Sequence, residues 1–126
     1  MSVLAATQPW EQGDVEGPSM ITDGSRFDLF FSGGNWDTVD YAMGFATCAT
    51  PVGPCRPPSP DPFLASREGQ DGPGGGKEFR GPGGARWIVY SACTNGHVGH
   101  AAGCSRSPFV SPLDVCGPVP RLQVGP

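Results

Sequence analysis

The sequence has little charge of either sign. Lys and Arg together number 8 against 12 acidic residues, for a net charge of −4. With no cluster of basic residues there is no electrostatic footprint for nucleic acid. Long apolar runs are also missing. None approaches the ~20 residues a membrane span needs, so no membrane partner is expected. The N-terminus carries neither a basic region nor a long apolar segment, and no secretion signal is visible. At 126 residues the chain is the size of one small domain.

What is plentiful is glycine (20) and proline (15), together more than a quarter of the chain. Such a composition fits either disorder or an all-β fold of short strands and many turns. The aromatics decide. Phe27, Phe30, Phe31, Trp87 and Tyr90 lie inside compact apolar runs that disordered segments lack. A folded, turn-rich all-β protein is expected.

Residues 1–14 read as a lead-in whose notable feature is Trp10-Glu11. Strands are expected at 19–22, 27–32 and 41–48, with a weak one at 63–65. Asp23-Gly24 marks the first turn, and Gly33 to Asp40 forms a longer loop carrying Trp36. The proline-rich stretch 51–62 cannot be a central strand. The second half replays the first. Asp71-Gly72-Pro73 answers Glu16-Gly17-Pro18, and the run 86–91 answers 26–31, with Gly81-Pro82-Gly83-Gly84 as the turn before it. Further strands are expected at 106–113 and 120–122. A repeat of about 55–60 residues with four short strands per unit is the pattern of β-propeller blades. The runs 29–31 and 87–90 are apolar on both faces, as stacked blades require. The expected domains are therefore a blade over 15–66 and a final blade over 67–126. Propellers close with ~4–8 blades, and two cannot close. Either N-terminal blades are missing from this chain, which is the preferred reading, or several copies self-associate.

The stretch Val15-Glu16-Gly17-Pro18-Ser19-Met20 places one carboxylate ahead of a Gly-Pro step at a strand mouth. Glycine admits close approach to the backbone, and proline removes a ladder donor, so this strand belongs on an edge. Glu16 should stand at an open sheet edge.

Five cysteines leave at least one that cannot pair within the chain. Cys48 and Cys55 bracket a tight Pro/Gly loop. A disulfide there is the leading reading and favours an oxidising compartment; two free buried thiols are the alternative. Cys93, His97, His100 and Cys104 form a Cys-x3-His-x2-His-x3-Cys array. Its spacing matches no common zinc module, so a loop with incidental histidines, with or without a Cys93–Cys104 disulfide, is preferred and no metal is assigned. The run Gly74-Gly75-Gly76-Lys77 lacks the spacing and hydroxyl of a phosphate loop.

Taken in order, Trp10-Glu11, Val15 to Met20, Phe27 to Gly33, Tyr41-Ala42-Met43-Gly44-Phe45-Ala46, Gly53-Pro54, Gly72-Pro73-Gly74 and Trp87 to Ala92 resemble glycoside hydrolase family 43. That family contains β-xylosidases, α-L-arabinofuranosidases and endo-arabinanases on a five-bladed β-propeller. The resemblance covers nearly the whole chain but only about the last two blades of the family. It implies hydrolysis of glycosidic bonds in pentose-containing plant polysaccharides or oligosaccharides such as arabinan or xylan, with inversion; the cysteine reading adds the expectation of a secreted, extracellular protein. It also implies that Glu16 is the general acid, while the base and the aspartate that tunes the acid lie in earlier blades. No cofactor is expected. Some members hold a channel ion such as calcium near a histidine after Gly-Pro-Gly, and Gly75 stands there in this chain. The Tyr90-Ser91-Ala92-Cys93 sequence also departs from the family's usual Tyr-His-Ala-Trp. Arg106 falls near a last-blade arginine that reaches the sugar in some members.

Glycoside hydrolysis delivers a proton to the leaving oxygen while water is activated on the opposite face, so the acid must stay protonated at working pH. A partly desolvated channel suits that role for Glu16; the alternative is a carboxylate paired with an arginine at a strand end. Trp36, in a Gly-Gly-Asn-Trp-Asp loop, is a candidate platform for a sugar ring. For Trp10, burial against missing blades is preferred. Asp71 is expected to be a turn residue. The alternative functions are a non-catalytic carbohydrate-binding propeller and a structural repeat without a ligand.

Overall fold

A computed structural model describes residues 1–123, and apart from two 3₁₀ turns, Pro9–Glu11 and Pro82–Gly84, its regular structure is all strand. The first sheet contains β1 (Val15–Asp23), β2 (Arg26–Gly33), β3 (Ala42–Cys48) and β4 (Cys55–Arg56), paired antiparallel in chain order. The second contains β5 (Asp71–Arg80), β6 (Arg86–Cys93), β7 (Arg106–Asp114) and β8 (Arg121–Leu122), again a simple meander. β1 and β2 are joined by a two-residue loop with Gly24 at φ 64°, the conformation a type II′ hairpin needs at its first position. Two four-stranded antiparallel blades are thus present.

The internal repeat is visible in the backbone. Gly17 and Gly72 sit at φ 58° and 57°, each beside an interruption of register, between Glu16 and Ser19 in β1 and between Asp71 and Gly74 in β5. A bulge takes Pro18 and Pro73 out of the hydrogen-bond ladder, which lets each strand carry near its start a residue that cannot donate. Asp71 accordingly opens β5 and is not the turn residue expected.

One strand lies elsewhere than expected. Residues 63–65 make only an isolated bridge from Leu64 to Met43. The fourth strand is Cys55–Arg56, in register with Cys48 and Thr47 and followed at once by Pro57 and Pro58. Those prolines end it, and as an edge strand it tolerates them. Cys48 and Cys55 are joined by a disulfide across this pair, with Cα atoms 4.2 Å apart.

Between the sheets, Phe30, Met43 and Phe45 of the first meet Ile88, Tyr90 and Leu113 of the second. Phe30, Met43 and Ile88 are fully excluded from solvent, and such side chains stabilise by about 1.5–3 kcal/mol each. β5 makes this contact possible. Gly72, Gly74 and Gly76 fall on one face of it, and a Cβ at Gly74 would lie 2.0 Å from Tyr41 Cε1, one at Gly76 1.9 Å from Met43 Cε. The bare backbone is the slot for those side chains.

A buried ionic cluster crosses the same interface. Arg86 of β6 donates through Nε to Glu78 of β5 and through Nη2 to Asp28 Oδ2 of β2, the latter at 2.6 Å. Arg26 Nε approaches Asp28 Oδ1 at 3.1 Å. Burial raises the Glu78 carboxyl pKa even against the pull of Arg86.

The other face of the first sheet is covered by the lead-in. Val3, Leu4 and Trp10 pack on the cluster of Leu29, Phe31, Ala46, Cys48 and Cys55. Trp10 stacks on Phe31 at 5.9 Å between centroids, so it serves its own blade. The backbone of Cys55 donates to Val3 O, tying the segment to the sheet edge, and Glu11 Oε2 accepts from the Thr7 and Gln8 amides. Among the described residues none covers the far face of the second sheet in this way, and Phe79 and Val110 stand exposed on it.

Candidate active site

Glu16 stands at the strand mouth, paired with Ser32 of β2 and immediately ahead of the β1 bulge at Gly17-Pro18. The bulge is pinned from the second sheet. Lys77 Nζ donates to Pro18 O at 2.9 Å, and the Gly75 amide donates to Ser32 Oγ, a fully buried hydroxyl beside Gly17. The Glu16 carboxylate is exposed and accepts the Tyr41 hydroxyl proton on Oε1 at 2.7 Å.

Tyr41, which immediately precedes β3, is itself 8 % exposed. Burial raises its phenol pKa, with a smaller upward push from Glu16, while Ser32 and Arg106 act in the opposite direction. The Arg106 guanidinium stands over the Tyr41 ring, 5.9 Å from its centroid. It donates through Nη2 to Gly72 O and Ser91 O, through Nε to Ser91 Oγ and through Nη1 to Cys93 Sγ. Of the five guanidinium N–H groups, one on Nη1 is left for a ligand. Partial burial lowers the Arg106 pKa, yet an arginine stays cationic.

Arg106 also lines a small pocket of about 90 Å³ with Trp36, Asp37, Cys93, Gly99, His100 and Cys104. Trp36 is 58 % exposed there, its indole free for contact. The loop between β6 and β7 is closed by a Cys93–Cys104 disulfide and fastened by the His100 amide on Asp37 Oδ1. With the two cysteines bonded to each other, the array presents no pair of thiolates, and among the described residues no three potential metal ligands converge. Gly75, at φ 69°, faces open space.

The structure therefore brings Glu16 and Arg106 together through Tyr41, and Trp36 beside Arg106 through the pocket they share. In the sequence Tyr41 starts a strand and heads the Tyr-Ala-x-Gly-x-Ala stretch that carries the resemblance, without marking it as a site residue. Cys48 and Cys55 lie on β3 and the edge strand β4 and take no part. A larger groove of about 290 Å³ between Phe45, Phe63, Arg67 and Pro120 includes none of the candidate residues.

No protein-family model matches the sequence, and no curated protein matches it significantly. Solved structures do. A thermostable family-43 glycoside hydrolase is 28% identical with a TM-score of 0.82, the match covering 98% of this chain and 42% of that one. An endo-1,4-β-xylanase from Bacteroides thetaiotaomicron is 24% identical with a TM-score of 0.81, over 97% of this chain and 43% of its own. An exo-1,5-α-L-arabinanase from a bovine ruminal metagenomic library is 14% identical with a TM-score of 0.69, over 88% and 38%. The chain thus spans about two fifths of the length of these structures.

Proposed function

We propose that this chain, folded like two blades of the family-43 glycoside hydrolases it resembles, supplies the general acid of a glycosidase acting on pentose-containing plant polysaccharides such as xylan or arabinan. The observation that carries this is Glu16, held at a strand mouth by Tyr41, over whose ring stands Arg106 in a pocket shared with an exposed Trp36. In the reaction the Glu16 proton passes to the glycosidic oxygen as the bond from that oxygen to the anomeric carbon breaks. A water activated by a carboxylate of another blade attacks the anomeric carbon from the opposite face, giving inversion. Trp36 offers a ring face to the sugar, and Arg106 its remaining Nη1–H. The two disulfides support an oxidising, extracellular setting.

The test is a propeller completed with the other blades of a family-43 enzyme. Glu16→Gln keeps shape and hydrogen-bonding reach but has no proton to give. Hydrolysis of an alkyl glycoside should fall about 10²–10⁴-fold, and an aryl glycoside with a good leaving group should lose far less. Equal losses on both substrates would remove Glu16 from the role. A completed propeller that binds xylo- or arabino-oligosaccharides and cleaves neither substrate would make the chain part of a sugar-binding module.

A further inference from the structure

Glu16 is exposed, while the residue that holds it is buried. Resting on the reading of Glu16 as the acid, we propose that Tyr41 is its positioning residue and that the second sheet sets Tyr41 in place. The phenol donates to Oε1 at 2.7 Å. When the carboxyl is protonated, Oε1 is thereby kept as the acceptor and the proton resides on Oε2, the oxygen free to face a leaving group. An exposed glutamate without that bond turns about its last torsion and offers the proton from either oxygen.

The phenol is fixed by parts of the chain remote in sequence. The β5 backbone at Gly74 lies so close to the ring that any Cβ would overlap Cε1 at 2.0 Å. Arg106 of β7 stands over the ring and is itself anchored on the carbonyls of Gly72 and Ser91. Glu16 and Arg106 are the charged groups that act on the phenol, and the Ser32 hydroxyl is its neutral neighbour. Orientation of the acid is thus a consequence of docking the two sheets.

The experiment uses the chain itself, with no need for turnover. Tyrosines labelled at Cζ with carbon-13 give two signals, Tyr41 and Tyr90. As the pH is lowered, Tyr41 Cζ should shift when Glu16 takes up its proton, while Tyr90 serves as the folding control. Glu16→Gln should abolish that inflection, and Gly74→Ala, which displaces the ring, should reduce it at least twofold. A Tyr41 signal that does not respond in the parent chain, or responds equally in Glu16→Gln, overturns the proposal; an unchanged response in Gly74→Ala overturns the role of the second sheet. In a completed propeller, Tyr41→Phe should lower kcat on alkyl glycosides roughly tenfold or more with KM unchanged. An active enzyme with no Tyr41 response refutes the positioning role alone. An intact Tyr41 response in an enzyme indifferent to Glu16→Gln refutes the acid reading instead.

Discussion

Replacing Arg86 by methionine tests how the two sheets are held together. The substitution keeps length and apolar stem but removes the cation that Asp28 and Glu78 share. Breaking a buried ion pair from one side costs about 3–5 kcal/mol, because the remaining charge stays buried and uncompensated. Here Asp28 retains Arg26 at 3.1 Å, so the stranded group is Glu78 and the lower end of the range applies. About 3 kcal/mol in a domain of this length lowers the melting temperature by roughly 12 °C. Acidity should modulate the loss. Burial already raises the Glu78 pKa, and removing Arg86 removes the two largest influences that oppose it, leaving only the weaker pull of Arg80. A carboxyl with a raised pKa in the folded state binds its proton more tightly there than in the unfolded chain. Stability therefore rises as pH falls from the folded value toward the unfolded one, about 4.3. The deficit of Arg86→Met relative to the parent should shrink as the pH is lowered from above neutrality toward the ordinary carboxylate range and Glu78 is neutralised. Thermal unfolding followed by circular dichroism across that range reads both effects. The double variant Glu78→Leu, Arg86→Met removes the stranded charge and should recover most of the loss. A melting temperature near that of the parent, or a deficit that ignores pH, would refute the reasoning.

Other outcomes are equally open to measurement. Mass mapping without reductant should find Cys48 bridged to Cys55, Cys93 to Cys104, and Cys116 as the single alkylated thiol; free thiols at 48 and 55 would remove that bridge and much of the case for secretion. The uncovered face of the second sheet, where Val110 is 57 % exposed and Phe79 41 %, should drive concentration-dependent association. Val110→Lys should weaken that association in sedimentation experiments, and a parent chain monomeric at every concentration would contradict it. Gly74→Ala should destabilise more than Gly76→Ala, because the first drives a Cβ into a rigid ring and the second into the mobile end of Met43. Overpacking of this kind costs about 1–3 kcal/mol, and the reverse order in denaturant titrations would show that Tyr41 yields more easily than Met43.

The blades were legible because their signals are local. Apolar runs, Gly-Pro punctuation and the recurrence of Glu16-Gly17-Pro18 in Asp71-Gly72-Pro73 can be read without knowing what packs on what. The misplaced fourth strand shows where locality ends. Phe63 and Leu64 are apolar because they fill the core, whereas Cys55–Arg56 is a strand through its pairing with Cys48 and Thr47. Asp28 hid inside an apolar run, and its partner Arg86 lies 58 positions away. The bond that organises the site joins residues 25 apart, and neither the spacing nor the composition announces it. Uncovered faces were expected on the grounds of blade number alone. The lead-in seals one of them with Val3, Leu4 and Trp10, side chains without a regular period. Trp36 and Arg106 came from loop chemistry and from family resemblance, and only the fold brings them to the same pocket as each other.

The glycine face of β5 bears on the order of assembly. A strand that begins Asp71-Gly72-Pro73-Gly74-Gly75-Gly76 has almost no intrinsic preference for extended structure, and glycine gives up the most backbone freedom when it is fixed. Such a segment is a poor nucleus. In the folded chain Tyr41 and Met43 close over it, and β5 is expected to order only as they do, with β3 as its template. Repeat proteins whose units each carry their own nucleus can gain or lose terminal units one at a time. Here the seam between the two repeats is itself part of the cooperative unit. Amide hydrogen exchange should find β3 and β5 opening together, with one protection energy across the seam and none of the stepwise fraying of independent repeats.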